Sequence, residues 1–313
     1  MTSLHDLAFP FYNRVLQRNS NLVFSGVTDT PPMPSNPSAA TVLYTPLGGG
    51  DRRAYILAVK SILRFSGDLH VVLQNDGSIS EAGCEEIRRH IPGIEILSAA
   101  EMDNVVRERA TPDLYKYIPN LLNPSIQRNH KILKLKLLNI LYRFRGRRVF
   151  MIDSDIICCR SPTFILDWMK DQEPSYFYGG GGNAQTRDFH ALGFDFSRVD
   201  IGNFNSGIMG VCHDVEESEL LEILERIHQR NPALMNGWEI EQSLWSVLLG
   251  KRQRCTNVDA MQEGYITSGW KTYERMKERA VFVHFVGAIR FRSLRYVRLA
   301  RDTYEDLRAR AAR

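Results

Sequence analysis

The sequence predicts an α/β protein, a single domain in which a mostly parallel, Rossmann-like sheet is flanked by helices. Two observations support this prediction. Short apolar runs alternate with segments of helical spacing along the first hundred residues, and strand–helix–strand order implies parallel strands covered on both faces. A later apolar run, Val149-Phe150-Met151-Ile152, leads straight into Asp153-Ser154-Asp155, as expected for a buried strand that ends in two carboxylates.

The first part of the domain is predicted to hold three strands and two helices. In order they are strand 41–45, helix 54–65, strand 70–73, helix 81–90 and strand 94–97. Three glycines at 48–50 and the Asn-Asp-Gly turn at 75–77 separate the elements, and Ser80 is placed to cap the second helix. This order implies a parallel sheet that is covered on both faces.

The second part begins with a basic helix that feeds the acidic strand. The predicted elements are helix 130–143, strands 149–152, 176–178 and 206–211, helices 217–229 and 241–248, a last strand at 281–286, and a helical tail. We therefore divide the chain into a helix with a Pro-rich linker (1–40), a main α/β domain (41–290) and an Arg-rich C-terminal helix (291–313).

Composition is that of an ordinary soluble globular protein, with 43% hydrophobic and 24% charged residues among 313. No apolar run approaches the ~20 residues that a membrane span requires, and no signal peptide is evident at the N-terminus. The five cysteines include no C-x-x-C pair, which favours reduced thiols. We expect a cytoplasmic protein.

Positive charge is concentrated in two segments. Residues 128–148 hold eight Lys or Arg and no acid, and 288–313 hold eight arginines against three acids, although the net charge of the chain is only +4. A diphosphate, an anionic lipid surface or nucleic acid could each be the partner. Nucleic acid is not expected, because aromatic interleaving is sparse and no helix-turn-helix or zinc pattern is present.

Asp153 and Asp155 are two residues apart. Because successive side chains of a strand point to opposite faces, these two should point the same way at the end of the strand. Two adjacent carboxylates repel each other and require a positive partner. Hard oxygen ligands of this kind suit Mg²⁺ or Mn²⁺, ions that often accompany the phosphates of a substrate. The alternative is two solvated loop acids.

Four further segments complete a pattern with this Asp-x-Asp. They are Asn75-Asp76-Gly77 after a strand, Phe204-Asn205-Ser206-Gly207, Glu241-Gln242 at the start of an apolar helix, and His284-Phe285-Val286-Gly287-Ala288-Ile289-Arg290. With Lys134 they resemble the glycogenin-type (family 8) retaining glycosyltransferases, over about residues 41–292. The resemblance implies the GT-A nucleotide-diphospho-sugar transferase fold and transfer from a UDP-sugar with retention, although inversion stays open.

The resemblance also implies a metal and diphosphate site. Asp153, Asp155 and His284 would bind Mn²⁺, with Mg²⁺ as the alternative, and Ser154 would contact the donor. Gly287 would let the backbone approach the pyrophosphate and Arg290 would pair with its oxygens, although the family usually has Lys-Pro-Trp where this chain has Arg290-Phe291-Arg292. Taken alone, His284 is more typical of a core histidine than of a metal ligand.

The remaining implied roles concern the sugar and the base. Lys134 would neutralise charge on the departing UDP, and Lys131 or Lys136 could serve instead. The tripeptide Asn205-Ser206-Gly207 would contact sugar and acceptor, and Thr45 and Tyr55 would contact the uridine. Glu241 and Gln242 would lie at the reacting face of the donor sugar, with Glu239 as an alternative; the acceptor is not identified.

Two other enzyme or binding classes remain open. The glycines at 48–50 and Asp51-Arg52-Arg53 suggest a sugar-phosphate nucleotidyltransferase, but the Gly-x-Gly-Thr-Arg pattern and its following Pro-Lys are missing. A non-catalytic module that binds a sugar nucleotide or a glycan would be expected to have lost a metal ligand. The Arg-rich tail is consistent with peripheral contact to an anionic membrane or with a helix packed on the domain.

Overall fold

The computed structural model describes residues 13–117, 128–181, 186–196, 199, 203–212, 215–237, 240–258, 264–267, 272–287, 290–291 and 294–311, without the side chains of 128–134 and 186–187. It confirms the α/β fold. Seven strands form the main sheet, in the order β3-β2-β1-β4-β7-β6-β8, and three form a second sheet, in the order β5-β10-β9. The strands are β1 Thr41–Leu47, β2 His70–Asn75, β3 Glu95–Leu97, β4 Arg148–Ile152, β5 Ile156–Cys158, β6 Tyr176–Gly179, β7 Asn205–Val211, β8 Cys255–Asn257, β9 Tyr265–Thr267 and β10 Phe282–His284.

The helices surround the main sheet. In chain order they are α1 Ser20–Val23, α2 Arg52–Leu63, α3 Glu81–His90, α4 Ala99–Arg109, α5 Pro112–Tyr115, α6 Arg128–Tyr142, α7 Thr163–Lys170, α8 Thr186–Ala191, α9 Glu217–Arg230, α10 Ile240–Gly250, α11 Tyr273–Glu278 and α12 Arg295–Ala311. Residues 13–18 are also helical. The Ser80 hydroxyl caps α3, as the sequence predicts, by accepting a hydrogen bond from the Gly83 amide.

The sheet is mostly parallel because strands connected by a helix must cross over to pair in the same direction. β1 pairs in parallel with β2 and β4, whereas β7 is antiparallel to both β4 and β6. The carboxyl ends of β1, β2, β4 and β6 therefore share one edge, and the amino end of β7 lies there too. In sheets of this kind ligands bind outside that edge.

The second sheet corrects one detail of the predicted topology. The strand predicted at 281–286 is shorter and does not join the main sheet. It is β10, which pairs antiparallel with β5 and parallel with β9. Because β5 follows the Asp-Ser-Asp turn directly, this pairing brings the end of β10 beside the two aspartates.

The C-terminal helix α12 packs on the domain through one apolar face. Tyr296, Leu299, Tyr304 and Leu307 are buried. Arg298 lies over the ring of Tyr273, with 3.8 Å from Cζ to the ring centroid. This packing favours the domain-packed alternative for the Arg-rich tail. Among the described residues, no helix is long and apolar enough to cross a membrane.

Candidate active site

Two aspartates and a histidine converge at the carboxyl edge of β4. The amide of Asp153 donates to the Gly207 carbonyl at 2.7 Å, and the amide of Phe285 donates to the Asp155 carbonyl at 2.9 Å, so β7 and β10 both hold the turn. His284 Nε2 lies 3.1 Å from Asp155 Oδ1 and 3.8 Å from Asp153 Oδ2.

This group can hold a divalent metal ion. One ligand atom from each of Asp153, Asp155 and His284 lies within 4.8 Å of the other two. Two carboxylates and one imidazole suit Mn²⁺ better than Mg²⁺, because nitrogen is a softer ligand than oxygen. Asp155 and His284 are buried, whereas the Asp153 side chain is 30% exposed and leaves the group open to solvent on one side.

Arg290 neutralises Asp155 from the opposite side. Its Nη2 donates to Asp155 Oδ2 at 2.8 Å and its Nη1 donates to Asp51 Oδ1 at 2.6 Å, so one guanidinium joins the start of α2 to the Asp-Ser-Asp turn. Burial alone would raise the pKa of Asp155, but Arg290 and His284 outweigh burial and hold that pKa well below its usual range. Burial alone would lower the pKa of His284, but Asp155 and Asp153 outweigh it and raise that pKa.

A buried cation lies on the other side of Asp153. Lys136 is fully buried; its Nζ donates to the Ser206 carbonyl at 3.1 Å and lies 3.4 Å from Asp153 Oδ1 and 3.9 Å from Glu241 Oε1. Burial would lower the pKa of Lys136, but Asp153 and Glu241 together raise it. Lys136 therefore remains protonated and supplies the positive partner that the paired carboxylates require.

The predicted cation of this helix was Lys134, with Lys131 or Lys136 as alternatives. The side chains of Lys131 and Lys134 lie outside the described residues, as does Glu239. Of the alternatives named from the sequence, Lys136 is the one that the structure places beside Asp153.

Glu241 is a buried carboxylate with an incomplete set of partners. Ser206 Oγ donates to Glu241 Oε2 at 2.9 Å, but Oε1 accepts no hydrogen bond from any described residue. Burial raises the pKa of Glu241 to about 7, although Lys136 acts in the opposite direction. The neighbouring Gln242 accepts from the Ser206 amide through Oε1 at 3.3 Å. Glu241 is therefore a buried, protonatable carboxyl group beside a fixed cation, and a hydrogen bond with Trp245 also acts to lower its pKa.

Asn205 and Gly207 lie directly against His284. Asn205 Oδ1 accepts from the Gly207 amide at 2.7 Å and from the Tyr265 hydroxyl at 3.3 Å. The Tyr265 hydroxyl is also hydrogen bonded to His284 Nδ1. A Cβ on Gly207 would lie 2.5 Å from His284 Cε1, so only glycine allows the ring to approach this closely.

The residues expected to contact the uridine are buried. Thr45 lies on β1 and Tyr55 on α2, and neither hydroxyl has a hydrogen-bond partner among the described residues. Ser154 lies between the metal-site aspartates, and its carbonyl is 3.5 Å from the Tyr296 hydroxyl of α12. The Gly287 carbonyl accepts from Gln17 Nε2 at 2.6 Å. The uridine, donor and diphosphate contacts assigned to these residues stay predictions.

Sequence reasoning missed two residues of this site. Asp51 was noticed only as part of a glycine-rich loop, and its pairing with Arg290 joins segments 239 positions apart. Tyr265 is a single aromatic residue in a three-residue strand, which carries no periodic signal. No pattern in the sequence would have identified either one.

Comparisons with known proteins support the fold. None of the protein-family models matches the chain, and no curated protein matches its sequence. The solved structure of galactosyltransferase LgtC in complex with donor and acceptor sugar analogues is similar at 14% identity and TM-score 0.50, over 84% of this chain and 95% of that chain. Mouse xyloside xylosyltransferase 1 is similar at 11% identity and TM-score 0.47, over 81% of this chain and 98% of that chain. The likeness to LgtC, together with the sheet order, shows that the chain has the GT-A fold.

Proposed function

We propose that the protein is a metal-dependent glycosyltransferase that moves a sugar from a UDP-sugar to an acceptor with retention of configuration. The observation that carries the proposal is the convergence of two clusters at one edge of the sheet. One is the possible metal-binding group of Asp153, Asp155 and His284. The other is the buried cluster of Lys136, Glu241 and Ser206, which borders Asp153.

The first cluster would hold the diphosphate of the donor. Asp153, Asp155 and His284 would hold Mn²⁺, which would supply positive charge to stabilise the diphosphate of the donor and the departing UDP. Arg290 is held beside Asp155 and can add positive charge at the same place. Arg290 already pairs with both Asp51 and Asp155, so contact with phosphate would require it to exchange one of these partners.

The second cluster would face the sugar. Lys136 is a fixed positive charge in a buried setting, where electrostatic stabilisation of a leaving group is strongest. Glu241 borders Lys136, and with its neighbour Gln242 on α10 it would lie at the reacting face of the donor sugar. Retention rests on the family resemblance and is consistent with front-side displacement or with a covalent intermediate.

Ligand-dependent stability tests the donor site. Melting temperatures would be measured with UDP, GDP and a panel of UDP-sugars, each with Mn²⁺ or with EDTA. We expect stabilisation by UDP that requires Mn²⁺ and that is lost in Asp153→Asn. Asp167→Asn makes the same chemical change on the exposed face of α7 and should leave the stabilisation intact. Absence of any response to UDP compounds would contradict the proposal.

Turnover distinguishes the proposal from the other two classes. A transferase hydrolyses its donor slowly without an acceptor, so UDP release and the anomeric form of the first sugar product can be followed by NMR. Retention predicts a product with the anomeric configuration of the donor. Pyrophosphate release from a nucleoside triphosphate would indicate a nucleotidyltransferase, and donor binding without any turnover would indicate a binding module.

A further inference from the structure

We propose that Tyr265 is a positioning residue that fixes the hydrogen of the neutral His284 ring on Nδ1 and so leaves Nε2 free to bind a metal. The inference deepens the proposed function, on which it rests, because it treats His284 as a metal ligand. It is carried by a chain of hydrogen bonds from a backbone amide to the imidazole. The chain consists of Gly207, Asn205, Tyr265 and His284.

The first link fixes the orientation of the Asn205 amide. The Gly207 backbone N–H lies 2.7 Å from Asn205 Oδ1. A backbone N–H can only donate, so the side-chain atom that faces it must be the oxygen. An amide oxygen has no hydrogen, and therefore every other partner of Asn205 Oδ1 must also be a donor.

The second link fixes the direction of the Tyr265 hydroxyl. Its oxygen lies 3.3 Å from Asn205 Oδ1 and is also hydrogen bonded to His284 Nδ1. Since the hydroxyl hydrogen points to Asn205, the phenol oxygen presents a lone pair to the imidazole. Nδ1 must then carry a hydrogen, and in the neutral ring Nε2 holds the free lone pair.

Burial favours this one set of hydrogen-bond directions over the alternatives. Tyr265 is 1% exposed, His284 4% and Asn205 8%, so water cannot readily replace a missing partner. The parallel pairing of β9 with β10 sets Thr267 opposite His284 and holds Tyr265 two residues earlier in register. Gly207 allows the ring to lie close against β7, because a Cβ at this position would be 2.5 Å from Cε1.

The consequence concerns metal affinity. The other nitrogen, Nε2, faces Asp155 and Asp153 at 3.1 and 3.8 Å. A metal binds only an unprotonated imidazole nitrogen, so a ring with its hydrogen on Nε2 would have to change tautomer first. Loss of an outer hydrogen-bond partner of a ligating histidine typically lowers metal affinity by about 10–100-fold.

Deletion of one hydroxyl tests the inference. We expect Tyr265→Phe to bind Mn²⁺ at least about tenfold more weakly than the wild type, measured by electron paramagnetic resonance of free Mn²⁺ without any donor. The matched control is Tyr176→Phe. It also removes a buried hydroxyl, but one that has no hydrogen-bond partner among the described residues. Tyr176 is the first residue of β6 and therefore lies at the end of that strand away from the candidate site. The Mn²⁺ affinity of Tyr176→Phe should equal that of the wild type.

A second measurement is independent of the variant and of its folding. In wild-type protein labelled with ¹⁵N-histidine, at alkaline pH where the ring is neutral, His284 should carry its hydrogen on Nδ1. His284→Gln identifies the signal. Unchanged Mn²⁺ affinity in Tyr265→Phe, or a hydrogen on Nε2 in the wild type, would overturn the inference. Wild-type protein that binds no Mn²⁺ would instead contradict the proposed metal site itself.

Discussion

Replacement of Glu241 by glutamine should change how the stability of the protein depends on pH. Glu241 is 3% exposed, and burial raises its pKa to about 7 from an ordinary value of 4.5. Glutamine keeps the shape of the side chain and can still accept the hydrogen bond from Ser206, but it does not titrate. The difference in pH dependence between the two proteins therefore isolates the ionisation of Glu241.

The sign follows from the direction of the pKa shift. A carboxyl whose pKa is higher in the folded protein stabilises it fully below the unfolded pKa, and that stabilisation is lost as pH rises through the folded pKa. For Glu241 the loss occurs between pH 4.5 and about 7. At ~1.36 kcal/mol for each pKa unit, we expect the wild type to lose about 2.5 kcal/mol relative to Glu241→Gln between about pH 5 and about pH 8.

Urea denaturation in the presence of EDTA would provide the free energy of unfolding of both proteins at those two pH values. EDTA is needed because a bound metal ion would add positive charge near Glu241 and oppose the shift. Glu225→Gln, on an exposed face of α9, controls for the loss of a carboxylate. A wild-type-to-variant difference that stays constant across this range would show that Glu241 is ionised in the folded protein, and the reasoning would be wrong.

The remaining predictions concern the neighbouring residues. Lys136→Met should lower the free energy of unfolding at neutral pH by about 1–3 kcal/mol in urea denaturation, because it removes the buried hydrogen bond to the Ser206 carbonyl and the cation nearest to the partly buried Asp153; unchanged stability would mean that these groups find other partners. Gly207→Ala should weaken Mn²⁺ binding at least about tenfold, because its Cβ would displace the His284 ring, whereas Gly67→Ala, with nothing within 4 Å, should not. Arg290→Lys keeps the positive charge, but an ammonium group cannot bridge Asp51 and Asp155 as the planar guanidinium does. Thermal denaturation should therefore show a free energy of unfolding that is lower by about 1.5–3 kcal/mol. Equal stability of the two proteins would refute the bridging role.

Local signals predicted the first half of the fold well. Helix 81–90 was predicted from Ser80 and the residues after it, and α3 spans Glu81–His90. The strand that ends at Ile152 was predicted because residues 149–152 are all apolar, and these four residues are buried. Such elements are determined by residues that are close together in the sequence, so they can be predicted from one sequence alone.

Elements that depend on distant pairing were predicted less well. A strand was predicted at 281–286, but β10 is shorter and lies in the second sheet, and β5 and β9 were not predicted. These three strands have three residues each, too few for a period to appear, and they pair with one another. Helix α6 shows a related limit. Leu135 to Leu141 is buried on every side, so no apolar stripe distinguishes the face that carries Lys136 from the rest.

The charge balance of the site explains why Glu241 in particular has a raised pKa. Three carboxylates form a network of close pairs with two cations and a histidine whose pKa is raised: Asp51, Asp153 and Asp155 with Lys136, Arg290 and His284. Glu241 is a fourth carboxylate and shares Lys136 at 3.9 Å with a nearer partner. Because a buried charge without its own counterion is costly, the least compensated acid takes up a proton. A divalent ion would replace the Nε2 hydrogen of His284 and add net positive charge, which lowers the pKa of Glu241. The state of Glu241 is therefore coupled to occupancy of the metal site, although the two are separated by Lys136.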